Sequence, residues 1–317
     1  MSRADDEAVV ERRLMANLMG DLRHLIPFFE KPSVTNVYVY GTGAVEVDEF
    51  GKGVFNAGFK LSVDDRKRII NSLASVSDIV IDKWRQPTLE SIIPKYNIRT
   101  TAILSPWVKA PEITFRRPAT KIYTLEEYLE NERISKEMYD KLCFHIKERS
   151  NIVVSGATGS GKTTFTNALI HRMANLTPDE RFYIVEDVPE LQCSAQYTTQ
   201  LYIRKDQAVA AIQTALRWTP NRIIFGEIRS GEVAVELLEA WNTGHPGNVT
   251  TIHADNAAST ITRIEGLLRQ KIAGKLPDIS WSVQLIVHLS SRAGFGPFVS
   301  EVCTVKEILE GGGNDQV

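Results

Sequence analysis

The stretch Asn151-Ile-Val-Val-Ser-Gly156-Ala-Thr-Gly-Ser-Gly161-Lys162-Thr163-Thr164 decides how the rest of the chain is read. An apolar run of strand character leads into a loop that fits GxxxxGK[ST], and KTTFTNALIHRMANL continues with helical periodicity. Glycines in such a loop let backbone N–H groups fold around a β-phosphate at a helix N-terminus, where the partial positive charge favours an anion. Lys162 is then expected to bridge the β- and γ-phosphates and the Thr163 hydroxyl to coordinate Mg²⁺. Gly156, Ala157, Thr158, Gly159, Ser160, Gly161, Lys162, Thr163 and Thr164 are the candidate phosphate contacts. A Gly-rich turn without a ligand would need neither the strand before it nor the helix behind it.

Downstream, strands and helices alternate. RFYIVED (181–187), RIIFGEI (222–228) and NVTTIHA (248–254) read as strands. DQAVAAIQTALRW, EVAVELLEAWN and NAASTITRIEGLLRQK read as helices. Apolar strands with crossover helices predict an α/β fold, a mostly parallel sheet covered on both faces. Ligands of such sheets bind beyond the carboxyl ends of the strands, and each polar cluster below is expected at such an end.

Upstream, SVTNVYVY (33–40) and AVEVDEF (44–50) alternate around Gly41-Thr42-Gly43 as a hairpin, and Gly51-Lys52-Gly53 makes a further turn. A helix follows from about Asp64 to Val80, then short strands near 90–94, 98–105 and 111–117. This is a smaller α+β domain. Pro118 to Tyr123 reads as a hinge, followed by the helices TLEEYLE and SKEMYDKLCFHIKER. The expected domains are 1–120 and 121–317. At the start of the chain, Val10, Leu14, Leu18, Leu22 and Leu25 line one face of a helix, with Arg3, Arg12, Arg13 and Arg23 among its polar positions. That face would pack on its own domain or a partner subunit, or lie on an anionic membrane surface.

Composition bounds the function. With 317 residues, 43% hydrophobic, 24% charged and a net charge of −2, the chain reads as a soluble globular protein rather than one that neutralises a phosphate backbone. No direct sequence-specific nucleic-acid binding is expected. Cys143, Cys193 and Cys303 are scattered, suggesting neither a disulfide framework nor zinc and fitting a reducing cytoplasm. No run approaches a membrane span or a signal peptide. The tail Gly311-Gly312-Gly313 reads as frayed.

Hydrolysis needs a carboxylate beside the phosphates to orient or deprotonate water. Glu227 emerges where RIIFGEI ends and is followed by Arg229; the alternative is a cap for the next helix. Glu186, Asp187 and Glu190 follow the strand RFYIV and would polarise water or hold a metal's water shell, or form a solvated loop. The third cluster runs from Thr243-Gly-His245-Pro246-Gly247 to Thr250-Thr251-Ile-His253. His253 at a strand end would bond a γ-phosphate and report its loss, or be a core histidine satisfied by a carbonyl.

In order, GATGSGKTT, VEDVPEL, the stretch Arg217 to Arg229 and TGHPGNVTTIHA resemble the Walker A, Asp box, Walker B and His box of the type II/type IV secretion ATPases. YTLEEYL, ELQC and AWNTGHPG are similar to the TrbB-type conjugal-transfer ATPases. The resemblance implies a homohexameric ring at the cytoplasmic side of the inner membrane, docked on conjugation machinery. In it an N-terminal sensing and oligomerisation domain works with a C-terminal RecA-like P-loop ATPase domain, and the site lies between them. ATP is the implied nucleotide. Glu227 is the implied base and a further candidate for Mg²⁺, Glu186 and Asp187 support water and metal, and His253 senses the γ-phosphate. Arg99 and Arg116, with Arg117 behind them, match first-domain arginines that stabilise charge in trans.

The sequence departs from the family twice: Asn221 follows Pro220 where the family has Asp, and no Asp precedes Gly226-Glu227. Other readings are a pilus-assembly, pilus-retraction or type II secretion ATPase, whose zinc module or longer N-terminal region is not seen, a DNA-translocating RecA-like motor, and a nucleotide-dependent scaffold. A basic, aromatic strand track would favour DNA; loss of Glu227 and His253 would favour a scaffold.

Overall fold

A computed structural model describes residues 3–49, 52–117, 122–292 and 295–311. Phe50 and Gly51 of the expected strand and turn, residues 118–121 of the expected hinge, and Gly312 and Gly313 of the tail lie outside the described residues. The chain divides into two compact units, Met1–Thr120 and Lys121–Val317.

The first unit runs α1 (Arg3–Asp21), α2 (Ile26–Phe29), β1 (Val34–Val39), β2 (Ala44–Glu49), β3 (Gly53–Lys60), α3 (Val63–Val76), β4 (Thr88–Ile93), β5 (Ile98–Ile103) and β6 (Glu112–Arg116). Its sheet has the order β3-β2-β1-β6-β5-β4, antiparallel throughout. The period-2 pattern works as expected in the first hairpin, where Val37 pairs with Val47 and Val39 with Val45, all four buried. β3, which the sequence reading left out, is an edge strand whose Val54 stays exposed. The apolar face of α1 is used only in its second half. Leu18 and, just beyond the helix, Leu22 and Leu25 are fully buried, the Ser72 hydroxyl of α3 donates to Asp21 at 2.6 Å, and Val10 remains 56% exposed.

Ser62 caps α3 reciprocally with Asp65: the Asp65 N–H donates to the Ser62 hydroxyl at 3.1 Å and the Ser62 N–H to the Asp65 carboxylate at 3.0 Å. The helix stops at Val76, short of the expected Val80. Asp78 adopts φ 51°, a left-handed residue that turns the chain away, while Ile79 N–H closes the end on Ala74 O at 2.9 Å.

The second unit runs α4 (Leu125–Glu130), α5 (Lys136–Lys147), β7 (Ile152–Gly156), α6 (Lys162–Leu176), β8 (Arg181–Glu186), β9 (Tyr197–Tyr202) and α7 (Ala208–Trp218). It continues with β10 (Arg222–Glu227), α8 (Gly231–Trp241), β11 (Val249–Ile252), α9 (Ala257–Leu268), β12 (Leu285–Arg292), β13 (Gly296–Thr304) and α10 (Val305–Gly311). The sheet order is β13-β12-β7-β11-β10-β8-β9, parallel except for β13 against β12. The sheet is therefore mixed, with three strands (β9, β12 and β13) that the sequence reading did not place.

Alternate residues of each central strand feed opposite faces. Val153, Tyr183, Val185, Ile223 and Phe225 pack with α7, α8 and α9. Ile152, Val154, Phe182, Ile184 and Ile224 pack with α4, α5 and α6. Each such fully buried side chain contributes about 1.5–3 kcal/mol. A sheet held on both faces presents its strand ends as a rigid platform.

Candidate active site

The phosphate loop joins β7 to α6. Gly156 is required by close approach: a Cβ there would run into the Ser160 hydroxyl and the Leu289 carbonyl. Gly161, at φ 85°, begins the helix in a left-handed conformation, and a Cβ on it would lie 2.9 Å from Pro297 Cβ. Ala157, Thr158 and Gly159 are exposed, Ser160 is buried with an unpartnered hydroxyl oxygen, and Thr164 is half-buried.

Lys162 is 8% exposed. Its ammonium donates to the carbonyls of Gly156 and Ala157, both at 2.9 Å, and lies 3.2 Å from His253 Nδ1. Burial lowers its proton affinity, and Glu227 opposes that shift. The Thr163 hydroxyl donates to Glu190 at 3.3 Å.

β10 brings Glu227 to the same place. Its register against β11 slips between Phe225 and Glu227, a bulge beside the site. Glu227 Oε1 is 3.0 Å from His253 Nε2, and Glu227 Oε2 accepts from Arg229 Nη2 at 2.8 Å. An imidazole with its hydrogen on Nε2 satisfies both His253 contacts, donating to Glu227 and accepting from Lys162. Lys162, His253 and Glu227 thus form one contact chain across three strand ends. The reading of His253 as a core histidine does not fit a side chain that is 45% exposed.

Glu186 and Asp187 follow β8 but differ in what they touch. Glu186 is buried. One oxygen accepts the N–H groups of Glu190 and Leu191, both at 2.9 Å, and the other accepts from Gln200 at 2.6 Å. Burial pushes its carboxyl up to about 7 against the pull of those hydrogen bonds. Its carboxylate holds the loop that carries Glu190 to Thr163, and Asn167 on α6 donates to Glu190 O at 2.9 Å. Asp187 pairs with Arg229.

One expectation is corrected. Residues 243–247 lie at the amino end of β11, away from the phosphate loop, because they precede the strand rather than follow it. His245 Nδ1 sits 3.3 Å from Ala240 O. Arg222, buried and pushed down to about 10 by burial, donates to Glu180 at 2.5 Å and to Gly247 O at 2.5 Å. Arg149 pairs with Glu180 as well and donates to Pro246 O at 3.1 Å. Asn221 lies at this end too: its side-chain oxygen accepts from Arg181 N–H at 2.9 Å, tying β8 to β10. Asn221, Arg222 and the first half of the histidine stretch are therefore fastenings of the sheet.

Arg99 and Arg116 belong to the first unit, directly opposite each other on β5 and β6. Arg117 donates to Val34 O at 3.1 Å and to Phe29 O, bonds that join the end of β6 to the first residue of β1 and the last of α2. Sequence reasoning also passed over Ser155 and His288, cross-strand neighbours on β7 and β12 whose Oγ and Nδ1 are 3.0 Å apart. Burial lowers the proton affinity of His288. Its alternating position within the apolar run LIVHL was the available signal.

The chain belongs to the type II/IV secretion system protein family, whose model matches residues 63–294. Among its relatives, the conjugal transfer protein TrbB of Rhizobium radiobacter is 33% identical over 296 residues, 93% of this chain and 90% of the relative. The type IV secretion system protein VirB11 of Bartonella quintana is 29% identical over 68% of this chain and 70% of its own length. The fold is similar to that of the pilus retraction motor PilT, solved with bound ADP, at a TM-score of 0.65 and 18% identity, covering 91% of this chain and 85% of that one.

Proposed function

We propose that the chain is the ATP-hydrolysing motor of a conjugative type IV secretion apparatus, with 121–317 as its RecA-like ATPase domain and 1–120 as its sensing and oligomerisation domain. The observation that carries this reading is the contact chain Lys162–His253–Glu227, which ties a phosphate-binding ammonium to a carboxylate suited to activating water. The family and the TrbB and VirB11 relatives supply the biological setting.

The backbone amides of Gly156 to Gly161 take the β-phosphate at the start of α6, and Lys162 exchanges its two carbonyls for phosphate oxygens. Beside the Thr163 hydroxyl stands the Glu190 carboxylate, an all-oxygen set that suits Mg²⁺. Bound there, the ion would neutralise charge on the phosphates. Glu227 accepts the proton of the attacking water, His253 senses the γ-phosphate, and Asp187 and Glu186 support the loop on the metal side. Arg99 and Arg116 stabilise transferred charge in the assembled hexamer, which works peripherally at the cytoplasmic face of the inner membrane.

Phosphate release by the purified protein, with and without DNA, tests the reading. Glu227→Gln is expected to bind labelled ATP normally and lose about 10²–10⁴-fold in kcat, while Lys162→Ala loses binding. Equal hydrolysis by Glu227→Gln and the unmodified protein would overturn the assignment of the base. Strong stimulation by DNA would favour a translocating motor.

A further inference from the structure

Arg229 has no part in the chemistry just described, yet it touches both carboxylates that flank the site. In an extended strand end, residues two apart share a side, so Glu227 and Arg229 emerge together while Ile228 between them is buried in the core. Arg229 Nη2 donates to Glu227 Oε2 at 2.8 Å, and Nη1 donates to Asp187 on the neighbouring strand end. The Arg229 side chain is 46% exposed, whereas the Glu227 side chain is 15% exposed. The burial falls on the carboxylate, so this pair differs from an ordinary surface ion pair of about 0–1 kcal/mol.

We infer that Arg229 is a positioning residue for Glu227, fixing one carboxylate oxygen so that the other faces His253, and that Asp187 in turn holds Arg229. The inference rests on the proposed hydrolysis with Glu227 as base. A planar fork with two separate donor edges can serve two carboxylates at once, which a lysine ammonium cannot do with the same orientation. The charged groups around Glu227 are His253 from β11, Lys162 from α6, and Asp187 with Glu186 behind it from β8. Lys205, Asp206 and Glu232 line the adjoining cleft. Most of these are acidic. Arg229 is the cation that bonds both Glu227 and Asp187, so without it nothing fixes Glu227 Oε2 and the carboxylate is held only through His253.

The test is the split between kcat and KM in the full-length protein, for Arg229→Ala, Arg229→Lys, Asp187→Asn and Glu227→Gln, with ATP binding and the unfolding midpoint measured for each. Arg229→Ala is expected to keep its KM and its ATP binding and lose about tenfold or more in kcat. Arg229→Lys should fall between it and the unmodified protein, Asp187→Asn should lower kcat the same way by less, and added guanidinium should restore part of the Arg229→Ala rate. A folded Arg229→Ala protein with unchanged kcat, beside an inactive Glu227→Gln, would overturn the positioning role alone. An active Glu227→Gln would remove the base itself, and the positioning role with it.

Discussion

The two ends of the seven-stranded sheet are built from the same strands and are both rich in polar side chains, but they are finished differently. At the amino ends, Arg222, Asn151 and Asn248 are almost wholly buried and their polar groups meet fixed partners. Asn248 donates to Asn151 at 2.8 Å, Asn151 to Ser282 O at 2.8 Å, and the Ile223 N–H to Asn248 at 2.6 Å. At the carboxyl ends, His253 and Arg229 are nearly half exposed and Lys162 is bonded to backbone carbonyls that a phosphate can replace. A buried polar group bonded only to protein serves structure, and one whose partners can be exchanged serves a ligand. Motif names cross this boundary: residues 217–221 and 243–247 belong to one end, Glu227 and His253 to the other.

Arg222→Ala should have the largest effect at the amino end. It strips one of two arginines from the partly buried Glu180 and frees the Gly247 carbonyl, so the unfolding free energy should drop by about 3 kcal/mol, with kcat per folded molecule unchanged. A chemical denaturation curve beside a turnover assay decides it. Lost turnover at intact stability would mean that the amino end is coupled to the chemistry.

Glu186 gives an effect confined to a pH window. Its folded carboxyl sits near 7 against an ordinary 4.5, so between those values the folded state holds a proton that the unfolded state has released. Stability from this group is full below about pH 4.5 and lost as pH rises through about 7, by up to about 3 kcal/mol. Denaturation midpoints across that range should fall for the unmodified protein and be flatter for Glu186→Gln. Identical slopes would show that the carboxyl titrates normally.

Asn221→Asp should do least. The new carboxylate keeps the bond from Arg181 N–H and adds charge at a partly exposed site, so stability should move by less than about 1 kcal/mol and turnover not at all. A gain in turnover of several fold would restore a functional role to the family's Asp at this position.

The sequence was most legible where one pattern was sufficient. The phosphate loop, the apolar strands 151–156, 181–186 and 222–227, and the helices behind them follow from periodicity and glycine placement alone. β9 was not legible because Tyr197–Tyr202 is an edge strand with neither face buried, so no alternation is imposed. β12 begins in the core and ends with Ser291 and Arg292 exposed, which blurs its pattern. The two ends of the sheet were separable in principle, since a residue preceding a strand lies at its amino end, and Thr243 to Gly247 precede β11. The partnership of Glu190 with Thr163 was not, because it depends on how Glu186 folds its loop back.

The phosphate loop leans on residues far along the chain. Gly156 packs on the Leu289 carbonyl, Gly161 on Pro297, and the Pro297 carbonyl is held by Arg133 at 2.6 Å. During synthesis, all eight residues of the motif leave the ribosome more than a hundred residues before Leu289 and Pro297 do. A nascent chain released before β12 and β13 carries the whole signature and lacks the wall that shapes it, so nucleotide competence is acquired late, when the last hairpin closes the sheet.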